Sequence, residues 1–141
     1  MSQLLLQFVF STLLVVLCVV IHGLTLFSLN RVLRGEAALE RIRHISPRGA
    51  VFTLSIMLTT FALHGLEIWI FALTYWHLGA VQDHESALYF STISYSTVGY
   101  NDTHILTEWR LLGAFESILG IFLLGWSTAF FFRMLGRIDP H

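Results

Sequence analysis

Between Thr97 and Asp102 the chain reads Thr-Val-Gly-Tyr-Asn-Asp, a run suited to presenting oxygens to a cation. A dehydrated monovalent cation needs a shell of oxygens, and rings of backbone carbonyls supply one without burying a full countercharge. Thr97 adds a hydroxyl at the inner end, and Val98 has no polar side-chain atom to compete with the carbonyls. Gly99 is free to take positive φ, which successive carbonyls need if all are to face one axis. Tyr100 brings a ring to wedge against neighbours and a hydroxyl that needs a hydrogen bond. The preceding segment, Ser86 to Ser96, is shorter than the roughly 20 residues that cross a bilayer and suits a re-entrant helix buried in protein.

These residues, with Tyr89-Phe90 before them and Asp102 and Trp109 after, resemble the pore loop of the potassium-channel superfamily, whose signature is Thr-Val-Gly-Tyr-Gly-Asp. The resemblance covers roughly Ala50 to Arg133. Glu108 to Glu116 and Gly125-Trp126-Ser127-Thr128 narrow it to small bacterial channel-like proteins without a cytoplasmic domain. It implies that Thr97, Val98, Gly99 and Tyr100 bind K+ with their oxygens, that four copies of the chain build the filter, and that no organic cofactor is needed. Asn101 stands where the family has its second glycine. Asn tolerates left-handed φ better than other non-glycine residues, so the backbone can keep its path while each subunit adds an amide at the outermost site. Asp102 matches the family's carboxylate, but its usual partner positions hold Ile93 and Tyr89-Phe90, which leaves the Tyr89 hydroxyl as a replacement donor.

The elements around this run are those of a membrane protein. Of 141 residues 55% are hydrophobic and only 12% charged, with no acidic or basic excess to suggest nucleic acid. Leu4 to Leu29 is broken only by Gln7, His22 and small polar residues. No Lys or Arg precedes it and no Ala-x-Ala site follows, so it reads as a retained helix. His22 is expected to be neutral and bonded to a helix carbonyl. Arg31 to Ile45 alternates basic and apolar residues near helical period, fitting either a helix at the lipid interface or a solvated connector. Ser46-Pro47 supplies an N-cap and a first-turn proline for the next helix. The expected fold is therefore all-α: a transmembrane helix over 1–30, a connector over 31–49, a pore domain over 50–135 and a tail over 136–141. Within the pore domain the expected parts are an outer helix over 50–77, a pore helix over 84–96, the filter over 97–102 and an inner helix over 109–135.

Arginine placement orients these segments, since the chain has no lysine. Arg31, Arg34, Arg41, Arg43 and Arg48 lie between the first two, and Arg133 and Arg137 follow the third. His77 to Glu108 carries only Asp83, Glu85, Asp102 and Glu108 as charges. The positive-inside rule places the N-terminus outside, the C-terminus inside and the filter loop on the outer face. The acids can concentrate cations at the mouth, and Asp83 and Glu85 equally suit the N-terminus of the pore helix. His84 and His104 beside them read as ordinary exposed histidines or as pH-sensitive ones.

Glu67 and Glu116 fall inside the membrane, where a charge costs roughly 2.5–3.5 kcal/mol, so both should face protein. Counting at about 1.5 Å per residue, Glu67 lies about 15 Å from His77 and Glu116 about 12 Å from Glu108, at similar depth. His64, three residues from Glu67, shares its helix face. The three are expected to form one polar cluster bracing the filter. Gly120 and Gly125 can serve as hinges of the inner helix, although close packing is the default for glycine there. Phe122, Gly125 and Ala129 share a face that can border the cavity. Seven scattered histidines without paired ligand spacing, and no nucleophile beside a base, argue against a metal enzyme or any other enzyme. The expected function is passive K+ conduction by a homotetramer in contact with lipid, in the cell membrane and by resemblance a bacterial inner membrane. A poorly selective cation pore and a non-conducting membrane subunit are the alternatives.

Overall fold

The computed structural model describes residues 2–35, 47–99 and 105–138. These form helix α1 (Gln3–Leu33), helix α2 (Pro47–His77), helix α3 (His84–Tyr95), a 3-10 turn (Thr107–Trp109) and helix α4 (Arg110–Ile138). Among the described residues there is no strand. Three helical spans, Gln3–Leu33, Gly49–His77 and Thr107–Met134, are long and apolar enough to cross a membrane. At 1.5 Å per residue, α1 is about 46 Å long and α3 only about 18 Å, so α3 cannot cross a hydrocarbon core of about 30 Å. The chain is a multi-pass membrane protein.

Local chemistry sets the helix ends. Ser2 Oγ accepts the Leu5 N–H at 3.4 Å and starts α1. The helix runs on to Leu33, past the expected end at 30, because Leu33 is buried against Ile56 of α2 and Met134 of α4. The basic stretch is thus divided: Arg31 belongs to α1 and Arg34 caps it, while 36–46, including the Ser46 cap, lie outside the described residues. Gly79, at φ 64°, stops α2. Its N–H donates to the Trp76 carbonyl at 3.0 Å and that of Ala80 to the Tyr75 carbonyl at 2.9 Å, the paired bonds of a Schellman stop.

α3 is held at both ends. Asp83 accepts the Ser86 N–H at 2.9 Å and the Ser86 hydroxyl at 2.8 Å. The Ser86 N–H bond is the main cause that holds the Asp83 carboxyl below its ordinary range. A carboxylate stabilised in this way contributes above its unfolded value and loses that contribution as pH falls through the folded one. Melting temperature in detergent followed against pH tests the cap. Asp83→Asn, which still caps, should lose less stability between neutral and acid pH than the native chain, and Asp83→Ala should melt lower than both at neutral pH. At the other end, Thr97 at φ 57° terminates α3, its N–H donating to the Ser94 carbonyl at 3.1 Å. The Leu106 N–H donates to the Ala80 carbonyl, in the turn before α3, at 2.9 Å.

In packing, α2 lies chiefly against α3, while α1 runs along α4 and α3 is wedged against α4. Tyr75, Phe71, Phe90, Tyr95, Leu112, Leu119 and Leu123 form the core, with Cys18 of α1 among them. The first helix is therefore part of the core. Its buried residues Gln7, Ser11, Cys18, His22, Leu26 and Leu33 fall on one stripe. The polar residues on that stripe have partners: the Gln7 side-chain oxygen accepts the Leu111 N–H at 3.0 Å, satisfying a donor in the first turn of α4.

Candidate functional site

The stretch expected to bind a cation begins where α3 stops. Thr97, Val98 and Gly99 are exposed on the protomer, Val98 to 82%. Tyr100, Asn101 and Asp102 lie outside the described residues. Gly99 does not take positive φ. The left-handed residue is Thr97, because the chain must turn there to leave α3. A β-branched residue in that region is a backbone outlier, the kind of strain that persists where surrounding contacts over-determine it. Those contacts come from Tyr95, whose ring is buried and whose carbonyl lies against Gly120 of α4. A Cβ placed at Gly120 would be 1.9 Å from the Tyr95 carbonyl oxygen, whereas one at Gly125 would meet nothing within 4 Å. Gly120 is a packing residue. Phe122, Gly125 and Ala129 are all exposed on the protomer.

Below this stretch are two buried polar groups where one was expected. Glu67 and Glu116 are both fully buried, but they have different partners. The Tyr75 hydroxyl donates to Glu116 Oε2 at 2.5 Å, and the Ser91 hydroxyl lies 2.5 Å from Glu116 Oε1 and 2.8 Å from the Ile68 carbonyl. Glu116 therefore joins α4 to α2 and α3 without His64. Equal depth along two helices did not bring the carboxylates together, because depth leaves the azimuth of each helix unspecified.

Glu67 belongs to the second group. Its Oε1 is 2.9 Å from His22 Nδ1, and its Oε2 accepts the Tyr95 hydroxyl proton and lies 3.4 Å from His64 Nδ1. His64 Nδ1 is 2.8 Å from the Tyr95 hydroxyl. Ser127 Oγ completes the ring, 3.0 Å from His64 Nε2 and 3.2 Å from His22 Nε2. His22 thus bonds a carboxylate and a hydroxyl, not a helix carbonyl, since α4 and α2 enclose it completely. Its ring is also 5.5 Å from that of Trp126, and Gly23 beside it lets the Trp126 ring approach. His22, His64 and Glu67 bring one ligand-type atom each to within 4.8 Å of one another.

Tyr89, expected as the donor behind the filter, is 58% exposed on the protomer, since it lies on the face of α3 away from α2. The hydroxyl under the stretch is that of Tyr95. His84 stacks on Trp76 with centroids 3.9 Å apart, and His104 lies outside the described residues. Tyr95, Ser127, Tyr75 and Ser91 were not singled out by sequence. The signal that finds His22 is its polarity on an otherwise apolar helix, which has to face protein; the hydroxyls carry no comparable signal.

A family model described as "Ion channel" matches residues 63–137, just over half of the chain. No curated protein sequence and no solved structure matches it.

Proposed function

Because this chain belongs to the ion-channel family, we propose that it forms a homotetrameric potassium channel, conducting K+ passively through the oxygens of Thr97, Val98, Gly99 and Tyr100. The reading is supported foremost by the exposure of Thr97 to Gly99 at the end of α3, which leaves a cation-binding stretch for other copies of the chain to complete. α3 also ends beside it, and the negative end of a helix dipole favours a cation there. Closed four-fold symmetry brings four such stretches to one axis. Arginine placement favours an outward-facing filter, with the N-terminus outside and the C-terminus inside. The membrane is then the cell membrane, by resemblance a bacterial inner one, with lipid around the tetramer, and Asn101 and Asp102 follow the filter residues in sequence, as outer-mouth residues would.

Asn101 favours a second reading, a cation pore of low selectivity, because it adds an amide where the signature has only backbone. Purified protein in liposomes, assayed separately for K+ and Na+ flux, separates the readings. Potassium flux without sodium flux, lost in Gly99→Ala, is the expected result. Equal fluxes would replace it with the non-selective pore, and no flux of either ion would point to a closed channel awaiting its stimulus or to a non-conducting subunit.

A further inference from the structure

We propose that His22, His64 and Glu67 form a binding site for one divalent transition-metal ion of the zinc class, buried between α1 and α2 beneath the end of α3. His22 and Glu67 are fully buried, and the His64 side chain is 12% exposed, which leaves an entry on its side. Two imidazole nitrogens and a carboxylate oxygen are the donor set such ions prefer, and the carboxylate supplies countercharge in an apolar interior.

The hydrogen-bond inventory points to a cation here. Five contacts close the ring through Glu67, His22, Ser127, His64 and Tyr95. With Glu67 ionised and both imidazoles neutral, the ring has only four protons, one on each imidazole and each hydroxyl. At least one contact then sets lone pair against lone pair unless a positive ion enters. Ser127 determines where. Its oxygen lies between the two Nε2 atoms and can accept a proton from each, with its own proton directed out of the ring; both Nδ1 lone pairs then face the Glu67 carboxylate, and two contacts, His22 to Glu67 and one of those made by Tyr95, are left without a proton. A metal-bound histidine characteristically donates its other N–H to such an outer partner.

The separations fit a metal after small movements. Corners of a tetrahedron with bonds of about 2.0–2.1 Å are about 3.3–3.4 Å apart. Glu67 oxygens lie 2.9 Å from His22 Nδ1 and 3.4 Å from His64 Nδ1, and the Tyr95 hydroxyl, 2.8 Å from His64 Nδ1, is in place as the fourth donor. The ion would clip the first helix to the outer helix and to the residue two before Thr97. Whether the filter conducts has no bearing on whether this site fills.

Metal content and Co2+ absorption of the full-length protein in detergent test the site. After chelation, titration with Zn2+ should load one ion per chain, and Co2+ in its place should give the visible absorption of a tetrahedral site. His22→Gln and Glu67→Gln, which keep hydrogen-bonding groups, should abolish both signals. Ser127→Ala should weaken zinc binding by about 10- to 100-fold, as loss of an outer partner does. Glu116→Gln, outside the ring, should leave binding unchanged. A chelated native protein that keeps its helical circular dichroism yet takes up no Zn2+ or Co2+ would overturn the proposal and leave a ring closed by an extra proton. So would metal uptake undiminished in His22→Gln.

Discussion

Gly120→Ala is expected to abolish ion flux and prevent stable assembly, while Gly125→Ala, five residues along the same helix, leaves both intact. The added methyl carbon at 120 would sit 1.9 Å from the Tyr95 carbonyl oxygen, 2.8 Å from its carbon and 3.1 Å from its Cα. All three are backbone atoms, so no side-chain rotation relieves the contact. Tyr95 cannot retreat either: its hydroxyl is bonded to Glu67 and His64, and its ring is buried among α2 and α4. Relief requires α4 to move off α3, which uncovers Leu119 and Leu123 and shifts the residues leading into Thr97. Overpacking a core typically costs about 1–3 kcal/mol, and rigid backbone on both sides puts this case at or above the upper end. At 125 a methyl group meets nothing within the protomer, and its effect should stay within about 0.5 kcal/mol. Size-exclusion chromatography, thermal melting and flux on the two variants measure the difference. Equal behaviour would mean that α4 does not rest on the end of α3.

The same pair of glycines marks how far the sequence can be read. Long apolar runs, the Asp83 cap and the arginine distribution each act over a few neighbouring residues, so the three spans and the short helix between them are legible. Which of Gly120 and Gly125 touches another helix depends on the rotation of α4. A helix apolar on every side leaves that rotation open. For α1 Gln7 and His22 do record it: both lie on the buried stripe, because lipid offers their side chains no hydrogen bonds, whereas Thr12 and Ser28 bond carbonyls of their own helix and stay exposed. Reading His22 as bonded to a helix carbonyl missed its side-chain partners. Pairing Glu67 with Glu116 failed for a related reason, since each carboxylate has hydroxyl partners from helices distant in sequence. Tyr95 and Tyr75 look like ordinary core aromatics until the carboxylates beside them are known.

Glu116→Gln should fold and assemble as the native chain does, and Glu116→Leu should melt well below it, an outcome that follows from counting protons. Ser91 has one hydroxyl proton and two acceptors in range, the Ile68 carbonyl at 2.8 Å and Glu116 Oε1 at 2.5 Å. If that proton goes to Ile68, residue 116 must donate to Ser91 and accept from Tyr75. A glutamine does both, with its NH2 toward Ser91 and its oxygen toward Tyr75. Leucine fills a similar space but removes the short Tyr75–Glu116 and Ser91–Glu116 bonds, at about 0.5–1.5 kcal/mol each or more for a charged acceptor, and with them the tie between α4 and the other two helices. Adding Tyr75→Phe to Glu116→Leu replaces both members of that hydrogen bond by apolar groups and should recover part of the loss, because such a double replacement is tolerated better than the loss of one member. Thermal melting of the three variants in detergent is the measurement. A glutamine variant as unstable as the leucine one would show that residue 116 must carry a full negative charge, held by both hydroxyl protons at once.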